Sequence, residues 1–82
     1  MGRGKQEIPI KLAGKLKIAR EKLGYTQAQM CEAIRKYNLK IYPGYIGLYE
    51  VGERLPSLLI LLAYSKITKI KMEDFVDDSV EI

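Results

Sequence analysis

Histidine and tryptophan are absent from these 82 residues, and cysteine occurs once, at Cys31. Without histidine the commonest zinc ligand is missing, and one thiol cannot close an internal disulfide. No metal site, cofactor or oxidised scaffold is therefore expected. An enzyme is the least expected class, because no paired acids lie in a recognisable catalytic setting and Cys31 falls on a helical face that packs inward. Long apolar runs are also missing: the longest, residues 58–63, is far short of a bilayer span. The first residues lack an apolar stretch followed by a small-residue cleavage site, so the expected location is cytoplasmic, with no membrane partner. Nowhere does the chain alternate with period two for long enough to predict a strand.

What is present is a globular composition, 48% hydrophobic, in a length that suits one domain near the lower limit for a self-sufficient core. The net charge of +4 is unevenly placed. Five of the ten acids, Glu73, Asp74, Asp77, Asp78 and Glu81, fall in the last ten residues, leaving residues 1–72 with a net +9. A basic body with an acidic tail fits a polyanionic partner, and it also fits a merely solvated surface.

The pattern predicts four or five short helices. Residues 1–8 read as a flexible basic arm, residues 9–76 as the folded domain and residues 77–82 as an acidic tail. After Pro9, suited to a first helical turn, Leu12, Leu16, Ala19 and Leu23 form an apolar stripe, with Lys11, Lys15, Lys17 and Lys22 expected in solvent beside it. Gly24 ends that helix. Thr26 and Gln29 make a capping-box pattern for a second helix from Gln27 to about Lys36, burying Met30, Ala33, Ile34 and Cys31. A loop is expected over 37–41. Pro43 suits another first turn, so the third helix is expected to run from there to Tyr49 or Glu50, with Ile46 and Tyr49 inward and Gly52 as its stop. After Pro56 and Ser57, the run LLILLAYS predicts a helix apolar nearly all round and central to the core. A short fifth helix is expected over 72–75.

Three pieces, LKIAREKLGYTQAQMCEAI (16–34), YIGLYEVGERLPS (45–57) and LLAYSKITKIKMEDFVDD (61–78), together resemble the phage-repressor and Cro-like helix-turn-helix family, often called XRE. The resemblance covers residues 12–78. It implies an all-α, lambda-repressor-like fold and a regulator of transcription that binds double-stranded DNA, with the third helix in the major groove, as a homodimer on two-fold half-sites. It further implies a largely buried ion pair between Arg20 and Glu50, and a phosphate contact from Arg54 just past the third helix.

Thr26 and Gln27 open the second helix, where free N–H groups and the positive dipole end favour a phosphate. Lys36 and Lys40, with the arm residues Arg3 and Lys5, complete an expected backbone clamp. Two departures from the family pattern stand out. The interval from Thr26 to Glu50 is about five residues longer than is typical, the excess falling around 35–42. The reading positions carry Pro43, Gly44, Tyr45, Gly47 and Leu48 instead of amides or bases. Tyr42 and Tyr45 each offer a hydroxyl, their rings and Leu48 can meet a thymine methyl, and the glycines let the backbone approach DNA closely. Tyrosine, leucine and glycine on an exposed helix equally suit a protein partner, so an interaction or antitoxin-like module, docking through the third helix or the tail, is the alternative.

Overall fold

The structure is a computed structural model that describes residues 9–82; the basic arm expected over 1–8 lies outside the described residues. Five helices follow in order: α1 (Leu12–Lys22), α2 (Gln27–Arg35), α3 (Tyr45–Glu50), α4 (Leu58–Thr68) and α5 (Met72–Val76). No strand occurs among the described residues, and the all-α expectation holds. Each helix contributes to one core, in which Leu16, Met30, Ile34, Ile46, Tyr64 and Phe75 are fully buried. The Tyr64 and Phe75 rings meet edge to face at 6.3 Å, joining α4 to α5.

The helix ends follow from local chemistry. Thr26 Oγ1 accepts the Gln29 N–H at 3.1 Å while Gln29 Oε1 accepts the Thr26 N–H at 2.8 Å, so both halves of the capping box form at the start of α2. Gly24 and Gly52 adopt φ of +75° and +79°, a region that favours glycine. The reversal at Gly52 lets the N–H groups of Glu53 and Arg54 return to the Leu48 carbonyl, at 2.9 and 3.3 Å.

Several expectations need correction. Pro43 lies outside α3: Pro43 and Gly44 form the preceding turn, closed by the Tyr45 N–H on the Tyr42 carbonyl at 3.0 Å. A proline is as well suited to such a turn as to a first helical turn, and the turn wins here. Likewise α1 begins at Leu12, after a turn at residues 10–11. Lys15 is not solvated. It is buried, and its Nζ donates to the carbonyls of Asp74 and Asp77 at the exit of α5. Ala33 is only half-buried, whereas Ile41, placed in the sequence-derived loop, belongs to the core. Finally, α4 is not buried all round. Ile60, Leu61, Ala63 and Tyr64 face α1, α2 and α5, but Leu58, Leu59 and Leu62 are exposed, because its neighbours cover one side only.

The long connection from α2 to α3 is pinned at several points. Arg35 Nε and Nη2 both donate to the Ile41 carbonyl, at 3.2 and 3.0 Å, and Ile41 is buried beneath. Asn38 takes the left-handed turn at φ 63°. At the other end of the chain, residues 77–82 fold back on α1. Asp78 accepts the N–H groups of Ile10 and Lys11 at 2.9 and 3.0 Å, and Glu81 pairs with Lys11 at 2.9 Å.

Candidate nucleic-acid interface

The surface around α3 is built outward from one carboxylate. Glu50, at the last turn of α3, is all but buried. Its Oε2 accepts Arg20 Nε at 2.6 Å and its Oε1 accepts Arg20 Nη2 at 3.0 Å, a bidentate pairing between α1 and α3. Arg20 Nη1 reaches the Tyr25 carbonyl at 2.8 Å, so the same guanidinium holds the entry to α2. The hydrogen bond to Glu50 raises the Arg20 pKa above its ordinary value despite the opposing effect of burial, which keeps the guanidinium charged. Beneath it, Tyr64 Oη is buried without a hydrogen bond to any described group. Burial, and then the Glu50 charge, push its phenol well above the usual range.

Gln27 extends this network to the surface. Its Nε2 donates to Glu50 Oε1 at 3.1 Å, and its side chain lies where a Cβ on Gly47 would meet it at 3.5 Å. The first turn of α2 is therefore locked against the middle of α3, while the Gln27 residue stays exposed. The amide was expected to be available to a phosphate. One of its protons is already engaged by Glu50, which leaves the other for a ligand.

The tyrosines form an array on the far side of Gly47. Tyr42 and Tyr45 meet edge to face at 5.2 Å, and Tyr45 meets Tyr49 at 6.2 Å. Tyr49 is the buried member, and burial raises its pKa although Arg54 opposes the shift. The Arg54 guanidinium stacks on the Tyr45 ring, 4.0 Å from its centroid. Arg54 is thus held twice, by this stack and by its backbone bond to the Leu48 carbonyl, and its residue remains exposed.

Of the residues singled out from sequence, Tyr42, Tyr45 and Arg54 come together at the start of α3, and Gln27 meets Gly47 in the middle of it, with Gly44 and Leu48 within the same segment. Thr26 contributes as the cap that presents the first turn of α2. Lys36 and Lys40 are exposed but stand apart. Lys36 lines a shallow groove on the outer face of α2 with Tyr25, Gln29 and Glu32, and Lys40 lies in the long connection. Three links were not read from the sequence: Gln27 to Glu50, Arg35 to Ile41 and Arg54 to Tyr45. Each joins positions that only the folded turns bring into register, so spacing carries no signal for them.

No metal-ligating cluster of His, Cys, Asp or Glu occurs among the described residues, and none of their helices is long and apolar enough to cross a membrane. No curated protein and no solved structure matches the chain significantly. A family model described as helix-turn-helix does match, over residues 16–75, from within α1 to the penultimate residue of α5. That span contains the capped α2, all of α3 and the Arg20–Glu50 pair, and the chain belongs to the XRE-type helix-turn-helix family.

Proposed function

We infer that this protein is a DNA-binding transcription regulator that lays α3 in the major groove, sets the first turn of α2 against a phosphate, and acts as two copies on two-fold half-sites. The observations that support this reading best are two clusters on α3, Gln27 packed against Gly47 and the stacked group of Tyr42, Tyr45 and Arg54. A backbone N–H cluster, a flat glycine step, two ring-and-hydroxyl readers and a fixed guanidinium are the parts that contact to backbone and bases requires. Affinity comes chiefly from phosphate contacts at Gln27, Arg54 and the lysines, Lys36 and Lys40 among them, and base preference from Tyr42, Tyr45 and Leu48. The location consistent with this role is the cytoplasm.

The Arg54–Tyr45 stack shapes the experiment. Removing the whole Tyr45 ring would also release Arg54, so Tyr45→Phe is the cleaner variant: it keeps the stack and deletes the hydroxyl. Duplex titrations on generic and genomic DNA at two salt concentrations should show steep salt dependence for wild type. Arg54→Ala should weaken every duplex about equally and reduce the log–log salt slope by about 1. Tyr45→Phe should preserve generic binding while flattening the preference among sequences. No measurable duplex binding by wild type at low salt would overturn this reading in favour of a module that docks a protein on the same tyrosines.

A further inference from the structure

The exposed side of α4 presents an apolar face that the core does not use. Leu58, Leu59 and Leu62 are 73%, 57% and 37% exposed, and they fall on one helical stripe that continues to Lys66. The long α2–α3 connection adds to it: Tyr37 and Leu39 lie beside Leu59 and Leu62, forming a shallow groove of about 140 Å³ floored by Ala63 and edged by Lys66. Together these side chains leave roughly 400 Å² of apolar surface open, within the range of the largest patch on an ordinary monomer. The extra residues that set this chain apart from the usual family spacing thus build one wall of an apolar groove.

We propose that this face is the contact between two copies of the chain, made by antiparallel packing of α4 on its counterpart. It rests on the two-copy part of the preceding reading, but its evidence is separate from the α3 surface. Two observations favour a second copy as the occupant. A two-fold contact needs a surface that carries its own complement. Here the most exposed leucine, Leu58, stands one turn before the groove. Antiparallel pairing about a two-fold axis between Leu59 and Leu62 brings Leu58 of each copy over Ala63 of the other, where the small floor residue leaves room. The groove is also of suitable size, since a cavity of about 150 Å³ accepts a group as large as benzene.

Area gives the second argument. A stable contact buries about 800 Å² per partner, of which roughly six tenths is apolar, and this patch supplies most of that apolar share.

Sedimentation velocity on the full chain at high micromolar concentration should give the mass of two 9.4 kDa chains. Leu58→Glu should give the mass of one, with unchanged helical circular dichroism, because the residue is exposed in the single chain. Tyr37→Ser, which removes one wall of the groove, should weaken self-association at least tenfold. A single-chain mass for wild type, a mass beyond two, or a Leu58→Glu variant that stays paired would overturn the proposal, the first leaving this face to a different protein. Generic duplex titrations on the same samples separate the two readings. A paired wild type that fails to bind DNA refutes only the regulator, and a single-chain wild type that binds it refutes only the α4 contact.

Discussion

Glu50 takes three donors on two oxygens, and its side chain is 3% exposed against 12% for Arg20. Glu50→Ala would leave a guanidinium among apolar neighbours with only the Tyr25 carbonyl to answer it. Breaking a buried pair from one side costs about 3–5 kcal/mol, a large part of the 5–15 kcal/mol that holds a small domain together. Urea melts should show that loss for Glu50→Ala and for Arg20→Ala, and curves that overlay wild type would remove the pair from the account of how α3 is angled. Tyr64 beneath the pair predicts the opposite sign. Its hydroxyl is buried without a described partner, beside the Glu50 charge that already disfavours its ionisation. Tyr64→Phe keeps the ring against Phe75 and deletes the unsatisfied oxygen, so it should raise stability by about 1 kcal/mol. A comparable loss in the same melts would show that the hydroxyl has a partner.

At the scale of the elements, α3 is only six residues long and holds a glycine at its centre. Nothing in the fold demands one there. Gly47 has no positive φ, and a Cβ would meet only the Gln27 side chain at ordinary contact distance. Gly47→Ala should therefore stabilise the domain by about 1 kcal/mol in a thermal or urea melt. If the α3 backbone approaches duplex closely, the same variant should bind DNA more weakly, and a stabilised variant with unchanged binding would exclude that approach. The helix boundaries show which signals were legible in the sequence. The capping box at Thr26 and the stops at Gly24 and Gly52 are local chemistry, complete within a few residues, and they read correctly. Pro43 did not, because proline suits both a turn and a helix start, and the choice between them is tertiary. Lys15 misled because it was sorted by its charge; by angle it sits three residues after Leu12 and four before Ala19, inside the buried stripe. In α4 the composition was read as full burial, but a chain of this length has too few elements to cover both sides. For the candidate site the residue types were legible, while the Arg54–Tyr45 stack was not, since it depends on the reversal at Gly52.

For the whole molecule, the acidic tail closes the fold against its own beginning. Asp78 accepts two N–H groups at the entry to α1, Glu81 pairs with Lys11, and Lys15 reaches back to the exit of α5, so three contacts tie residues 10–15 to residues 74–81. The acids of the tail meet the positive end of α1. The backbone bonds from Lys11 and Ile10 hold the Asp78 pKa below the usual carboxylate range, and Lys11 does the same for Glu81. A carboxylate depressed in the folded state contributes stability that is present above its unfolded pKa, near 4, and is lost as pH falls through the folded value. Lys11 is shifted upward by Glu81, so its contribution is present below its unfolded pKa, near 10, and is lost as pH rises through its folded value. The clamp should therefore be complete between about pH 4 and pH 10, with acid removing the Asp78 and Glu81 contacts and alkali only the Lys11–Glu81 pair. Urea melts across the acid range should show stability falling below about pH 4 in wild type, and Asp78→Asn should shrink that fall while lowering stability near neutrality. Amide exchange gives the local readout, with Ile10 and Lys11 losing protection in Asp78→Asn and the α2 amides unchanged. Equal acid sensitivity in both proteins, with Ile10 and Lys11 still protected, would show that the tail does not hold α1.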